Sequence, residues 1–204
     1  ADLTRFCADR GLALLVDEVF ADYALEAPSD HLPTALEDAQ PACPVFLLSG
    51  LSKVAALPQL KLGWIAARGP GAAESLSALA FLADQYLSVS APAQAAAPTI
   101  LALAPSLRAQ VRHRLQRNLA ALDLALSKHP HLGRLPVEGG WSALLRRPAV
   151  EADEACALRV LEASGLLVHP GSLFDLPGDG HLVLSLLIPE PDFAAGLSAL
   201  LPLL

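Results

Sequence analysis

The first half of the sequence alternates continuous aliphatic runs with stretches of helical spacing. The aliphatic runs are Leu12–Val16, Val45–Leu48 and Gly63–Ala67. Because they lack a regular alternation with polar residues, they predict strands buried on both faces of a parallel sheet. Apolar residues at helical spacing predict helices over Asp2–Arg10 and Glu74–Tyr86. Residues 23–44 are polar and contain several prolines, which indicates a loop region with a short helix near residues 34–39.

The pattern changes near residue 105. Helical spacing continues over residues 93–103 and 106–128, and a kink or break is expected at Pro98 and Pro105. Short strands and helices alternate after this point. The predicted strands are Leu135–Leu145, Leu166–Val168 and His181–Leu187, and the predicted helices are Asp153–Ala163, capped by Asp153, and Asp192–Leu201. The change predicts a second, smaller α+β lobe.

Composition and charge exclude several classes of protein. Apolar residues make up 53% of the chain and charged residues 17%, which excludes an intrinsically disordered chain. The net charge of -7 lacks the electrostatic footprint of a nucleic-acid binder, so no nucleic-acid partner is expected. Residues 85–107 carry no charge, but their prolines, alanines and serines favour a buried helix over a membrane span. No membrane partner is expected either.

The cysteines and the start of the chain bear on its location in the cell. Cys7, Cys43 and Cys156 are odd in number and far apart in sequence, so they fit neither a disulfide framework nor a zinc site. They predict reduced, buried thiols, no metal site and a cytoplasmic setting. The sequence opens on Ala1 in a helical pattern without the features of a signal peptide. This suggests a piece of a longer chain, or a processed product, that is not secreted.

Two side chains of opposite charge follow predicted strands. Asp17 ends the first aliphatic run, and Lys53 comes directly after the second. In open α/β sheets, ligands bind beyond the carboxyl ends of strands, so the acid and the amine lie at the edge where sites form. Small neighbours leave the backbone N–H groups near Lys53 open to an anion, and Lys61 is a second cation before the third strand. Spacing alone also allows solvated loop residues at these positions.

Several segments carry a resemblance to a known family. The segments Leu14–Phe20, Leu51–Trp64 and Tyr86–Pro92 are ordered as in fold-type I pyridoxal-phosphate aminotransferases of the aspartate/alanine class. The stretches Gly139–Trp141, His169–Phe174 and Leu182–Ser185 resemble the small domain of that family. The resemblance spans nearly the whole chain but about the C-terminal half of the family's usual length. It implies an α/β fold with two parts: residues 1–104, the C-terminal part of a cofactor-binding large domain with a mostly parallel sheet, and residues 105–204, a small α+β domain.

The resemblance also implies a cofactor and roles for four residues. The cofactor would be pyridoxal 5'-phosphate, with Lys53 as its Schiff-base lysine and as the carrier of a proton to and from the substrate. Asp17 would pair with the pyridine nitrogen, and Ser52 and Lys61 would hold the phosphate. The implied reaction is transamination between an amino acid and a 2-oxo acid in a cytoplasmic homodimer. The chain alone is expected to be inactive, because the family's upstream cofactor-binding residues have no counterpart here.

The sequence departs from the family pattern around the cofactor. Gly50 stands where many relatives have a phosphate-binding serine, and Lys61 replaces the usual arginine, which removes a bidentate grip. Phe20 stands where many relatives have a tyrosine that contacts the cofactor. Tyr23 is a possible substitute three residues later.

A further departure concerns the substrate. Val183 occupies the place of the arginine that clamps the substrate carboxylate in the family. Arg146 and Arg147 are possible replacements, although a solvated pair beside Pro148 is the expected reading. The missing clamp leaves three alternatives open: a cofactor-binding sensing domain of an aminotransferase-like transcription regulator, a pyridoxal-phosphate lyase acting on the same external aldimine, or a degenerate fold without cofactor.

Overall fold

The computed structural model describes residues 2–38, 40–86 and 88–204. Ala1, Ala39 and Leu87, which fall in the first predicted domain, the predicted short helix and the Tyr86–Pro92 segment, lie outside the described residues. The chain divides into two compact units. Unit 1 comprises residues 1–22 and 28–108, and unit 2 comprises residues 23–27 and 109–204. The predicted domains, 1–104 and 105–204, stay a prediction about independent folding.

Unit 1 is built around a three-stranded sheet. Its elements are α1 (Asp2–Ala8), β1 (Leu14–Asp17), β2 (Val45–Gly50), α2 (Leu51–Val54), β3 (Gly63–Arg68) and α3 (Ala72–Asp84). The strand order is β1-β2-β3, with β1 parallel and β3 antiparallel to β2. The α/β class is confirmed, but the prediction of a parallel third strand is wrong. The reason is that Leu51 N–H donates to the Leu62 carbonyl over 3.0 Å, which closes the chain between β2 and β3 into a wide hairpin.

The sheet of unit 1 is covered on one face. In β2, Val45 and Leu47 are buried, whereas Leu15 of β1 is 68% exposed and Ile65 of β3 is also exposed. The prediction that these strands are buried on both faces is therefore wrong for this chain. An unbroken aliphatic run is compatible with both outcomes, because it presents apolar side chains to each face whether or not a layer covers it.

Two small clusters hold unit 1 together. One lies at the amino ends of β1 and β2 and contains Cys7, Cys43 and Val45. The other contains Leu51, Val54, Ala55 and Ala104, which join α2 to a long helix. No residue of α3, which the structure describes in full, is buried.

That long helix, α4, runs over Ala91–Leu126 with Pro98 and Pro105 inside it. The expected break is wrong: each proline removes one N–H donor, and the surrounding turns keep the segment helical. The boundary between the units falls within α4, between Arg108 and Ala109. Among the described residues, no helix is both long enough and apolar enough to cross a membrane.

Unit 2 has an antiparallel sheet with helices packed against it. Its elements after α4 are β4 (Gly133–Arg134), β5 (Ser142–Arg146), α5 (Asp153–Ser164), β6 (His169–Pro170), β7 (His181–Ser185) and α6 (Glu190–Leu200). The strand order is β4-β5-β7-β6. The single strand predicted over 135–145 is wrong, because the chain around Gly139 leaves the sheet and pairs with Ala24.

One large core fills unit 2. It contains the following buried side chains: Tyr23, Leu115, Leu119, Leu122, Leu126, Leu132, Val137, Ala143, Leu145, Cys156, Val160, Val168, Leu182, Leu184, Leu186, Phe193, Leu197, Leu200 and Leu201. Tyr23 reaches this core because residues 23–27 belong to unit 2, and its ring meets that of Trp141 edge to face at 5.3 Å.

The start of α5 differs from the prediction. Asp153 is its first residue and does not cap it; instead the Asp153 N–H donates to the Asp179 carboxylate at 3.1 Å. The Asp153 carboxylate is buried and accepts hydrogen bonds from the backbone N–H groups of Gly180, at 2.7 Å, and His181, at 3.0 Å. Asp153 therefore ties α5 to the start of β7.

Candidate active site

Asp17 lies at the carboxyl end of β1. It pairs with Leu48 of the parallel strand β2, and its carboxylate accepts the Val19 N–H over 3.1 Å, which closes a tight turn. The side chain is exposed and opens into a cavity of about 470 Å³. The cavity is lined by Asp17, Val19, Leu48, Ser49, Gly63, Trp64 and Ile65. An acid thus stands at the edge of the sheet where the sequence predicts a site.

Gly50 explains how Lys53 follows β2 so closely. A Cβ at Gly50 would lie 2.9 Å from the Leu62 carbonyl oxygen and 3.0 Å from the Gly63 Cα. Both are backbone atoms of the hairpin partner, so a serine there would push β3 away. Glycine lets the chain turn directly from β2 into α2, which places Lys53 within one turn of the strand end.

The Lys53 amine lies against the segment that follows β1. Its Nζ is 5.2 Å from the centroid of the Phe20 ring, a distance at which a cation is attracted by the ring face. Phe20 is three residues beyond Asp17. Because β1 and β2 are parallel, their carboxyl ends share one edge, and this contact holds the amine at that edge. Phe20 thus holds the amine by a ring contact, where a tyrosine would also offer a hydroxyl.

Ser52 and Lys61 have different surroundings. Ser52 is half-buried on α2, beside Lys53. Lys61 is exposed, with φ of 53° in the left-handed region between a turn at Pro58–Leu60 and β3. Lys61 lines a cavity of about 570 Å³ together with Ser88 and Ser90, next to the start of α4.

The two serines in this cavity were missed by sequence reasoning. Ser88 and Ser90 lie in the Tyr86–Pro92 segment, which the resemblance includes, but no role was assigned to them. Their hydroxyls and the Lys61 ammonium are groups that bind anions. Ser52 is absent from the lining residues of this cavity, so its pairing with Lys61 on one phosphate stays a prediction.

Comparison with known proteins shows the family. The family model described as "Aminotransferase class I and II" matches residues 1–187. The chain belongs to the class I and II aminotransferases. The resemblance stated from the sequence is thereby confirmed.

Curated relatives include two named alanine aminotransferases. Those of Mycobacterium tuberculosis (strain ATCC 25618 / H37Rv) and Mycobacterium bovis are each 29% identical over 199 residues, covering 93% of this chain and 45% of the relative. The chain therefore spans less than half the length of these aminotransferases.

Solved aminotransferase structures share the fold. A PLP-dependent aminotransferase from Streptococcus suis superposes with a TM-score of 0.81 at 22% identity, covering 99% of this chain and 51% of that one. A double mutant of Thermus thermophilus aspartate aminotransferase gives a TM-score of 0.80 at 24% identity, with the same coverage. At these identities the likeness concerns the fold alone.

Arg147 of this aminotransferase chain is not the solvated residue that the sequence predicts. Its guanidinium is buried and donates to the Asp153 carboxylate at 2.8 Å, and to the Glu151 carbonyl at 3.0 Å. A buried guanidinium already paired in this way is not available to clamp a substrate carboxylate. Arg146 is exposed on β5. The correction arises because Arg147 follows the end of β5 and turns inward toward α5.

Tyr23 and Val183, the other two positions in doubt, are both in unit 2. Tyr23 is fully buried in the core of that unit. Val183 is buried on β7 opposite His169 of β6. Both line the mostly apolar surroundings of a cavity of about 270 Å³ that also includes Val183's neighbours Ser185 and Asp192, whereas Tyr23 is not part of its lining.

Proposed function

We propose that this chain supplies Lys53 and Asp17 to the active site of a pyridoxal-phosphate-dependent aminotransferase. One observation carries the proposal. The parallel pairing of β1 and β2 brings the Asp17 carboxylate and the α2 lysine to the same edge of the sheet, with the Lys53 amine held over Phe20. Family membership makes an acid and an amine at this edge an expected pair rather than two isolated loop residues.

The residues at this edge fit the chemistry of pyridoxal phosphate. An aromatic pyridinium needs an acid near its ring nitrogen, an amine near its aldehyde and cationic or hydroxyl groups for its phosphate. Asp17, Lys53 and the pair of Ser52 and Lys61 are residues of these types in unit 1. When bound, the cofactor supplies an electron sink for the electron pair left on the substrate Cα.

Lys53 acts as the proton carrier in this proposal. Its amine accepts the proton from the substrate Cα and returns a proton to the product side, which requires the amine to be neutral during the transfer. Contact with the Phe20 ring limits the positions of the long side chain, so less rotational freedom is lost when the amine acts. Asp17 remains ionised and holds a proton on the ring nitrogen through a charge-assisted hydrogen bond.

Ser52 and Lys61 bind the phosphate in this proposal. A serine hydroxyl and a lysine ammonium contribute one donor and one point charge, which fix the phosphate less rigidly than an arginine fork does. The cavity with Ser88 and Ser90 supports an anion-binding role for Lys61. Removal of Lys61 is expected to weaken cofactor binding while leaving the proton carrier in place.

The substrates are an amino acid and a 2-oxo acid. L-alanine is the first donor to test, because the curated relatives at 29% identity are named alanine aminotransferases. Homodimer formation and a cytoplasmic location, both expected from the sequence, stay predictions.

The sequence offers a clean test, because it contains three lysines: Lys53, Lys61 and Lys128. The complete gene product, loaded with pyridoxal phosphate, is expected to absorb visible light through a lysine-bound cofactor and to convert L-alanine to pyruvate when a 2-oxo acid is present. Lys53→Ala should abolish both signals. Lys128→Ala, in unit 2, is the matched control and should leave both unchanged.

The outcomes separate the alternatives. An unchanged absorption band in Lys53→Ala rules out this lysine, and with it the proposal. Pyruvate released with ammonia, without any acceptor, would indicate a lyase. Cofactor binding that depends on Lys53 without turnover of any amino acid would favour the sensing domain.

A further inference from the structure

Two of the three cysteines meet in one buried cluster. Cys7, near the end of α1, and Cys43, two residues before β2, pack with Val45 in a small cluster of unit 1. They are 6% and 1% exposed, and neither is part of a disulfide. The sequence correctly predicts reduced and buried thiols, but sequence separation gave no sign that two of them are neighbours.

The backbone fixes where these cysteines lie. The Leu12 N–H donates to the Cys7 carbonyl at 2.9 Å, and the Leu14 N–H donates to the Pro44 carbonyl at 2.8 Å. The end of α1 and the residue after Cys43 are therefore both tied to the segment that enters β1. Since β1 and β2 are parallel, both thiols lie at the amino ends of the strands, the edge opposite Asp17 and Lys53.

Each thiol changes the chemistry of the other. Burial raises the pKa of the Cys43 thiol, and the Cys7 side chain raises it further, both by its charge and by a hydrogen bond. Cys43 therefore stays protonated and unreactive as an isolated thiol. Cys156 has different surroundings in unit 2, where the Arg159 guanidinium lies 3.7 Å from its sulfur.

We propose that Cys7 and Cys43 form a redox-sensitive dithiol that a low-molecular-weight disulfide such as glutathione disulfide oxidises to an intramolecular disulfide. The proposal concerns the opposite edge of the sheet from the candidate active site and does not depend on the proposed function. In reducing compartments, protein disulfides are uncommon, and those that form are typically transient and redox-sensing.

The reaction proceeds in two balanced steps. The Cys7 thiolate attacks one sulfur of glutathione disulfide, forms a mixed disulfide and releases one glutathione thiolate. The Cys43 thiol then loses its proton and attacks the Cys7 sulfur, which releases the second glutathione. The two cysteines lose two electrons and two protons in total, and glutathione disulfide is reduced to two molecules of glutathione.

Access to the thiols depends on α1. This helix has seven residues, and Leu3 and Phe6 on it are exposed. A short terminal helix with few buried side chains opens at low free-energy cost, which gives the oxidant access to Cys7. Once formed, the disulfide closes the chain between Cys7 and Cys43 and fixes α1 to the segment before β2, so it restrains the unfolded chain as well.

The test measures how readily the disulfide forms in the folded and unfolded protein. The complete gene product is equilibrated with mixtures of reduced and oxidised glutathione, then acid-quenched, alkylated and digested with trypsin. Cleavage at Arg5, Arg10 and Lys53 separates Cys7 and Cys43 into different peptides, so mass spectrometry identifies their bridge directly. We expect the equilibrium constant for the Cys7–Cys43 bridge to be at least about tenfold higher in native buffer than in urea. An equal or lower constant in native buffer overturns the proposal.

Cys7→Ser provides the control. Without its partner, Cys43 should remain a free thiol under native conditions, because it is almost fully buried. If a Cys43–Cys156 bridge formed in this variant as readily as the Cys7–Cys43 bridge forms in the wild type, the pairing would reflect general thiol reactivity, and the proposal would be wrong.

Discussion

The two units differ in where their apolar side chains lie. Unit 2 gathers its buried side chains into one continuous core around its sheet and helices. In unit 1 the described buried side chains form two small clusters, while Leu15 and Phe81 are 68% and 67% exposed. Unit 2 is therefore expected to hold most of the chain's own stability, because hydrophobic stabilisation follows the apolar area removed from water.

Polar side chains divide between the units in a related way. In unit 2, the buried pair Arg147 and Asp153 joins β5, α5 and β7. In unit 1, Asp17 is exposed and Lys53 is half-buried at a strand edge. A charge held in a fixed, buried pair serves structure, whereas a charge at an open edge remains available to a ligand. The comparison assigns stability to unit 2 and chemistry to unit 1.

The largest effect on this comparison is expected from Asp153→Ala. The change leaves the Arg147 guanidinium buried without its carboxylate and removes an acceptor from two backbone N–H groups, which costs about 3–5 kcal/mol of unfolding free energy. Each unit contains one tryptophan, Trp64 in unit 1 and Trp141 in unit 2. Urea unfolding in a Trp64→Phe background, followed by the fluorescence of Trp141, measures the loss in unit 2.

Glu154→Ala is the matched control, since Glu154 is the next residue of α5, is exposed and hydrogen-bonds to Ser172. It should move the transition far less than Asp153→Ala. A double variant, Arg147→Met with Asp153→Ala, should recover part of the loss, because no unpaired charge is left buried. If Asp153→Ala and Glu154→Ala had equal effects, the buried pair would have no special importance to unit 2.

Asp153 also illustrates what a sequence can and cannot predict. Its position before an amphipathic segment predicts a helix start, and α5 does begin there. The sequence does not reveal that Gly180 and His181 offer their N–H groups to the same carboxylate, because those contacts arise only when β7 folds beside α5. Arg147 was read as solvated for the same reason: charge favours exposure unless a distant partner is known.

The candidate site was predictable to a similar extent. The run Leu12–Val16 followed by Asp17, and the run Val45–Leu48 followed by Lys53, place both side chains after strands, as the structure has them. The direction of β3 was not predictable, because it depends on the hairpin that Gly50 and Leu62 form. Nor was the contact between Cys7 and Cys43, since it is made across the sheet rather than along the chain.

An intermediate effect is expected from matched leucines in the two cores. Leu145 on β5 and Leu51 on α2 are both fully buried. Leu145→Ala should cost about 3–5 kcal/mol, because the surrounding strands and helices of the large core hold the cavity open. Leu51→Ala should cost nearer about 2–3 kcal/mol, because a small cluster beside a short helix can close around the missing atoms.

Urea unfolding of single-tryptophan variants measures both losses, with Trp141 reporting on Leu145→Ala and Trp64 on Leu51→Ala. Val150→Ala, at an exposed position of unit 2, is the control and should leave the transition nearly unchanged. Equal losses for the two leucines would contradict the inference that the cores differ in rigidity.

The smallest effect concerns Glu26, which lies in the segment that unit 2 takes from the first part of the chain. Two hydrogen bonds from the Arg134 guanidinium, at 2.7 and 2.8 Å, and one from the Val137 N–H hold the pKa of the Glu26 carboxyl below its ordinary value. The folded state therefore binds this proton less readily than the unfolded state. The resulting stability is present above the unfolded pKa, about 4.3, and is lost as the pH falls through the lower folded value.

Glu26→Gln removes that dependence while keeping the shape of the side chain. Because Glu26 is 37% exposed, solvent screening limits the expected loss at neutral pH to below about 1 kcal/mol. Unfolding followed by Trp141 at neutral pH and below pH 4 should show the wild type losing its advantage over the variant on acidification. Glu37→Gln, at an exposed position of unit 1, should produce no such pH-dependent difference. If the advantage grew as the pH fell, Glu26 would not be ionised in the folded state, and residues 23–27 would be held to unit 2 by packing of Tyr23 and by backbone pairing alone.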